Sequence, residues 1–383
     1  MWRHIASNAV TLLLVLMFLA GGVVLWGREE YSAKGPLAEQ ICLKVDRGST
    51  MRRVSRALEE DGAIRSGTLF RLGADYGDKA ESLKAGSYLL PEGASMAEIT
   101  EIITKGGAST CGTEVVYRIG VTASNVQVRE LDPATGKYVE TAEFSPGSET
   151  PAAFTKASSD AGTRFRVAVA EGVTSWQVIE GLKSVDVLDG ASGDIPAEGT
   201  LAPDSYEVRV GDTRASVLAR MTEAQSVLLA SAWEGRASGL PLASPEEALI
   251  LASIIEKETG VAEERGQVAS VFINRLNRGM KLQTDPTVIY GITKGEGVLG
   301  RGLRQSELRR ETPWNTYVID ALPPTPIANP GRASIEAALN PLTTDYVFFV
   351  ADGTGGHAFA ATLDEHNANV AKWRKIEAER GQN

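Results

Sequence analysis

Only two cysteines, Cys42 and Cys111, occur in 383 residues, which excludes a disulfide-dense scaffold. Histidine is hardly more frequent. His4, His357 and His366 stand far apart, and neither C-x-x-C nor H-E-x-x-H occurs, so no zinc site is recognisable and the chemistry is expected to use carboxylates, without a metal or other cofactor. Positive charge is also short: 39 Lys+Arg against 49 Asp+Glu leave a formal charge of −10, which argues against a polycationic nucleic-acid binder. What is there is an ordinary globular composition, 43% hydrophobic and 23% charged with 39 glycines. It excludes wholesale disorder and collagen-like repeats, and the length allows roughly two or three domains.

One long apolar run breaks that ordinary pattern. Ala9 to Trp26 is 18 residues without a charge, about 27 Å as a helix at ~1.5 Å per residue, close to the thickness of the hydrocarbon layer. A cleaved secretory signal is the alternative. Its apolar stretch is usually ~7 to 15 residues and ends at small residues, whereas Trp26-Gly27-Arg28-Glu29-Glu30 follows here. An uncleaved anchor is therefore expected, and Arg3 and His4 before it favour a cytoplasmic N-terminus with an exported body. Export would permit a Cys42–Cys111 disulfide; two small buried thiols fit the sequence equally well.

After a polar stretch from Tyr31 to Glu39, Ile41 to Val45 alternates like a strand, and Arg47-Gly48-Ser49-Thr50 supplies a turn and an N-cap. Helices are expected from Met51 and over Ser66 to Tyr76, a returning strand over Lys84 to Leu90, and a helix from Ser95 to Thr104. The pattern recurs. Val167 to Val178 overlays Leu43 to Val54 at an offset of 124, and Ser205-Tyr206 followed by Gly211 overlays Ser87-Tyr88 followed by Gly93 at an offset of 118, as a duplicated module would. Between the copies, Gly107 to Thr163 reads as an insertion with two strands and a hairpin tip at Asp132 to Lys137. A new register starts at Ser244-Pro245-Glu246-Glu247, a serine cap, a first-turn proline and a carboxylate three residues on. Helices follow over Ala248 to Thr259 and Glu263 to Leu276, with a buried strand at Tyr346 to Ala351 and a closing helix from Leu363 to Glu379.

Chemistry concentrates in two places. Ala252-Ser253-Ile254-Ile255-Glu256-Lys257-Glu258-Thr259 sets two carboxylates in an apolar turn. Two residues apart on a helix they point about 200° from each other, so they cannot work on one bond as a pair, and periodicity does not choose between them. Whichever lies in an apolar cleft would hold a proton for a leaving group. Downstream, Gln283, Thr284, Asp285 and Tyr290 combine amide, hydroxyl, carboxylate and ring on an expected turn, a mix suited to a sugar. A plain capped turn is an equal reading of those residues.

Six segments in order, I-E-K-E-T at 255–259, V-A-S-V-F-I-N-R-L at 268–276, L-Q-T-D-P-T-V-I-Y-G at 282–291, T-P-W-N-T-Y at 312–317, L-P-P-T-P-I-A-N-P-G at 322–331 and F-V-A-D-G-T-G-G-H at 349–357, resemble the YceG-like family of endolytic murein transglycosylases. The resemblance is close over roughly 244–373 and departs from the family in Trp314 and in the insertion. It implies an α+β chain: a cytoplasmic N-terminus and transmembrane anchor over 1–30, a LysM-like module over 38–107, the insertion over 108–163, a second LysM-like module or connector over 164–243 and a mixed α/β catalytic domain over 244–383. It also implies a catalytic role for Glu256, with Glu258 supporting and His357 structural, and substrate contacts from Gln283, Thr284, Asp285, Tyr290, Asn315 and Tyr317. One carboxyl group would suffice, protonating the bond between N-acetylmuramic acid and N-acetylglucosamine and then receiving the muramic C6 hydroxyl proton to leave a 1,6-anhydro end. The implied setting is the inner membrane with a periplasmic body, glycan strands of nascent peptidoglycan as substrate, peptidoglycan synthases as partners and no nucleic acid. A non-catalytic wall-binding scaffold and a hydrolytic muramidase are the rival readings.

Overall fold

A computed structural model describes residues 2–105, 110–160 and 162–380. Two compact units divide the chain: Met1–Val116 with Gln127–Phe144 and Glu149–Arg164, and Tyr117–Val126 with Ser145–Ser148 and Phe165–Asn383. The expected start of the insertion at 108 lies outside the described residues.

The first unit begins with α1 (Trp2–Ser32), which over Thr11–Ser32 is long and apolar enough to cross a membrane. The helix does not stop where the apolar run stops. Its last turn is docked: the Tyr31 hydroxyl donates to Thr100 Oγ1 at 2.7 Å, and Glu30 pairs with Arg65 at 2.8 Å. The polar stretch read as starting at Tyr31 thus begins only after Ser32, because tertiary contacts pay the ordering entropy of that turn.

β1 (Ile41–Val45), α2 (Met51–Glu60), α3 (Gly67–Tyr76), β2 (Gly86–Leu90) and α4 (Met96–Lys105) follow. Caps place the helices, with Thr50 accepting from the Arg53 N–H and Ser66 from the Leu69 N–H. β1 and β2 pair antiparallel with Leu43 opposite Tyr88, and Leu43, Val54, Leu58, Phe70, Leu90 and Ile99 form one core. β3 (Thr113–Ile119), β4 (Ser124–Asp132) and β5 (Lys137–Phe144) form a meander, and α5 (Ala152–Ser159) follows. Asp132 closes the expected β4–β5 tip by accepting from the Ala134 N–H and the Thr135 hydroxyl.

Cys42 and Cys111 form a disulfide, with Cα atoms 5.7 Å apart and a sequence separation of 69. A cross-link closing a loop of that length restricts the unfolded chain by about 4 kcal/mol. The double variant Cys42→Ser, Cys111→Ser is expected to lose about that much unfolding free energy in chemical denaturation. Reductant should bring the wild type to the same midpoint.

In the second unit the far end of the β3–β4 hairpin joins β6 (Arg164–Val169) and β7 (Ser205–Val208), in the order β4-β3-β6-β7. The internal repeat is visible in register. β6 pairs antiparallel with β7, placing Val167 opposite Tyr206, the positions that overlay Leu43 and Tyr88. Each copy turns through a left-handed glycine, Gly48 at φ 76° and Gly172 at φ 77°, into a threonine N-cap, Thr174 opening α6 (Ser175–Lys183). Each tyrosine hydroxyl also donates to the carbonyl four residues earlier, Tyr88 to Lys84 at 3.0 Å and Tyr206 to Ala202 at 2.8 Å.

The remaining elements are α7 (Arg214–Glu234), α8 (Pro245–Glu258), a short 3-10 turn (Ala262–Glu264), α9 (Arg265–Asn277), α10 (Asp285–Thr293), α11 (Gln305–Leu308), α12 (Arg332–Leu339), the antiparallel pair β8 (Phe348–Ala351) and β9 (His357–Ala360), and α13 (Leu363–Arg380). α8 is the axis of this unit. Ala248 to Ile255 are all buried, as a helix apolar on every side requires, and they pack with Val268, Phe272, Ile327 and Ile335 in one core.

Candidate active site

α8 is started by Ser244, whose hydroxyl accepts the Glu247 N–H, with Pro245 in the first turn. Eight buried residues then carry it through the core. Charged groups return only at its C-terminal end, at Glu256, Lys257 and Glu258. The helical repeat sends the two carboxylates in different directions, and the surroundings differ accordingly.

Glu258 is partly buried and accepts a hydrogen bond from the Thr284 hydroxyl. Burial raises its carboxyl above the usual range, and the negative charge of Asp285 adds to this, while the Thr284 bond, His357 and Arg275 oppose it. It also ends the helix, where the backbone dipole disfavours negative charge. Around it, Thr284 is itself buried and its N–H donates to Thr316 Oγ1 at 3.0 Å. The Thr287 and Thr316 hydroxyls lie 2.8 Å apart. Gln283 is exposed at φ 50°, a conformation unusual outside glycine, with its N–H bonded to Thr316 O at 3.1 Å. Asp285 is exposed and accepts the Tyr317 hydroxyl at 2.7 Å. That bond and burial, the latter the larger, push the phenol upward. The stretch expected as a turn is instead the start of α10, because Asp285 and Pro286 suit a first helical turn as well as a loop.

Glu256 lies on the other side, also partly buried. Its carboxylate accepts the Gly331 N–H at 3.0 Å. Burial raises the nearby Glu171 carboxyl, and the charge of Glu256 adds to the rise. Lys257 donates to Gly172 O at 3.1 Å, and burial lowers its ammonium against the opposing pull of Glu256 and Glu198. The fully buried Asn329 ties these segments: its N–H donates to Val173 O at 2.8 Å, its carbonyl accepts the Gly172 N–H at 2.9 Å, and its Oδ1 accepts the Leu201 N–H at 3.0 Å.

The expected site residues are thus divided. Gln283, Thr284, Asp285 and Tyr317 gather beside Glu258, and no hydrogen bond joins Glu256 to any of them among the described residues. Tyr290 turns to another neighbourhood. Its ring lies 5.8 Å from that of Trp314, and its hydroxyl is pushed upward by burial and by Glu198. Asn315, expected as a substrate contact, is fully buried, with its Nδ2 donating to the carbonyls of Glu307, Leu308 and Arg310 and its Oδ1 accepting the Tyr317 N–H. An amide so committed orients the 307–317 segment and presents no edge to a ligand.

Arg275 and His357, which act electrostatically on Glu258, were not picked out for that by the sequence. Arg275 did leave a signal, a charge among Val268, Val271, Phe272 and Leu276 on the apolar face of α9. His357 left a weaker one, as the histidine of a Gly-rich turn after a strand pattern. Among the described residues no cluster of three or more His, Cys, Asp or Glu is placed to hold a metal ion.

A model of the YceG-like family matches residues 43–372. An endolytic murein transglycosylase of Bacillus subtilis (strain 168) is 28% identical over 366 residues, covering 93% of this chain and 91% of the relative. The enzyme of the same name from Streptococcus pneumoniae serotype 2 (strain D39 / NCTC 7466) is 26% identical over 384 residues, covering 96% of this chain and 65% of the relative, so this chain spans about two thirds of the pneumococcal protein. A solved structure of a yceG-like protein from Listeria monocytogenes is 25% identical, covering 86% of this chain and 98% of that one with a TM-score of 0.46. With the family pattern running through most of its length, the chain belongs to the YceG-like family.

Proposed function

We propose that this protein is a membrane-anchored endolytic lytic transglycosylase that cleaves between N-acetylmuramic acid and N-acetylglucosamine in nascent peptidoglycan, with Glu256 as the general acid. The observation that carries the assignment is the placement of Glu256, the first carboxylate to emerge from the apolar stretch of α8 and held there by the Gly331 N–H. A carboxyl group fixed at the end of a buried helix and still partly exposed can reach a glycosidic oxygen and pass a proton to it. The named activity of the Bacillus and Streptococcus relatives supports the reaction class. Glu256 is also the carboxylate that the family resemblance selects, and the Gly331 N–H occupies only one of its oxygens; Glu258, bonded to the Thr284 hydroxyl, supports the start of α10.

In this reading Glu256 gives its proton to the glycosidic oxygen as the bond to C1 breaks. The muramic C6 hydroxyl then closes on C1 while its proton passes to the Glu256 carboxylate. The acid is regenerated, no water is consumed, and the product carries a 1,6-anhydro ring. One carboxyl group does the work of two. Gln283, Asp285 and Tyr317 are the substrate contacts in this proposal, with Thr284 and Asn315 holding them. The two strand-turn-helix copies are read as LysM-like glycan-binding modules. The Cys42–Cys111 disulfide supports a body facing an oxidising compartment, on the far side of the membrane from a cytoplasmic N-terminus. Synthases of new glycan strands are the partners that such a position would favour.

The test is mass spectrometry of glycan strands digested by the full chain in detergent, beside Glu258→Gln and Glu256→Gln. Anhydro ends that vanish only with Glu256→Gln support the assignment. Reducing ends would mean a muramidase, and binding without products a scaffold. Loss only with Glu258→Gln would move the acid to Glu258.

A further inference from the structure

We propose that Glu171 is a second functional carboxylate of the active site: set beside Glu256 across Gly331, it faces the positive charge that develops at C1 while Glu256 handles the proton. The inference deepens the reading above and rests on Glu256 being the acid.

Backbone contacts fix where Glu171 stands. It lies in the turn between β6 and α6, and the next residue, Gly172, is held from both sides: its N–H donates to Asn329 O at 2.9 Å, and its carbonyl accepts Lys257 Nζ at 3.1 Å. Gly172 thereby rests on the end of α8, where a Cβ on it would come within 3.6 Å of Glu256 Cγ. Gly331 closes the arrangement. Its N–H donates to Glu256 Oε2 at 3.0 Å, and a Cβ built on it would run into the Glu171 carboxyl, so both carboxyl groups abut one glycine. The turn itself does not need an acid there. In the first copy of the repeat the position 124 residues earlier is Arg47, followed by the equivalent glycine, Gly48, and the equivalent cap, Thr50. Of the two copies, the one resting on α8 carries the carboxylate.

Glu171 is exposed as a residue, with its carboxyl end turned onto Gly331, and no hydrogen bond or ion pair among the described residues takes up its oxygens. Desolvation at that end raises the carboxyl above its usual value, the charge of Glu256 adds to the rise, and Arg265 on α9 opposes it. Of the neighbouring cations, Lys257 is engaged by Gly172 O and Arg332 by Glu336 at 3.7 Å. The carboxylate is thus left to act on what binds beside Glu256. The glycosidic oxygen that Glu256 protonates is bonded to C1, where positive charge develops as that bond breaks. A fixed negative charge next to the acid lowers the energy of that state. It transfers no proton, so the balance of the reaction above is unchanged.

The experiment is the pH profile of kcat and KM for strand cleavage by the full chain in detergent, comparing wild type with Glu171→Gln, Glu171→Asp and Glu256→Gln. Only the ionised Glu171 serves C1, so the wild-type kcat should climb on the acid side as this carboxyl loses its proton, above the ordinary carboxylate range. Glutamine keeps the shape and never carries the charge. It is expected to lower the plateau kcat by roughly 10²-fold, with KM and melting temperature little changed, and to abolish that climb. Aspartate keeps the charge on a shorter stem and should restore the climb and part of the rate. A glutamine variant with the wild-type rate and acid limb would overturn the inference. So would equal losses in both variants with a falling melting temperature, which would make Glu171 a residue of the turn alone. A Glu256→Gln enzyme that still cuts strands would instead remove the assignment beneath it, and the two failures are read from different variants.

Discussion

Glu256→Gln is expected to lower turnover by roughly 10²- to 10⁴-fold, the usual weight of a general acid, whereas Glu258→Gln is expected to keep most of the rate and to stabilise the protein at neutral pH. The second effect comes from the rise of the Glu258 carboxyl caused first by burial and then by Asp285. The sign is fixed by proton counting. Between the unfolded value, about 4.3, and the raised folded value, the native state holds a proton that the unfolded chain has released. Stability supplied by this group is full below that window and is lost as pH rises through the folded value. Glutamine can accept the Thr284 hydroxyl as the carboxylate does but never carries the charge. Its melting temperature should match the wild type near pH 4 and exceed it increasingly toward neutrality, which scanning calorimetry at several pH values would show. Glu256→Gln should keep the wild-type dependence of melting temperature on pH; a melting-temperature gain in that variant, with none in Glu258→Gln, would contradict this account.

What was readable in the sequence was local. Thr50, Ser66, Thr174 and Ser244 cap their helices as their positions suggest, because a side-chain oxygen three residues before a free N–H is a short-range interaction. The repeat was readable for a related reason: the strand, the turn glycine and the cap each leave a residue type, and together they fix which tyrosine lies opposite which aliphatic residue. What surrounds Glu256 and Glu258 was not local. The residues act on Glu258 from α10, α9 and β9, 17 or more positions away in sequence, and helical spacing carries no information about them. Asn315 misled for the opposite reason, since a polar side chain in a sugar-suited composition has the same letter whether it meets a ligand or three backbone carbonyls. The end of α1 was hidden likewise, as Tyr31 is polar enough for a tether until Thr100 is known to receive its hydroxyl.

Arg275→Met should be the most damaging single change to the fold of the second unit, costing about 3–5 kcal/mol, the range for removing one partner from a buried charged network. The methionine fills a similar length of space, so the loss is not mainly a cavity. Nε donates to Val347 O at 2.6 Å and Nη1 to Leu282 O at 2.7 Å and Lys281 O at 3.3 Å, and the guanidinium lies 5.5 Å from the centre of the Phe348 ring. These carbonyls belong to two separate segments, the approach to β8 and the approach to α10, and both are fastened to α9 by one planar fork. Lysine cannot replace it, because a single ammonium does not reach both carbonyl sets with the same geometry, so Arg275→Lys should recover little of the stability. Burial lowers the guanidinium from its usual value, with Tyr317 and Glu258 opposing the change. Removing the cation also removes an opposing charge from Glu258. Arg275→Met should therefore lower the denaturation midpoint more at neutral pH, where Glu258 loses an opposing charge, than near pH 4. A loss independent of pH would separate the staple from the electrostatics and confine Arg275 to holding the 281–282 and 347 segments in place.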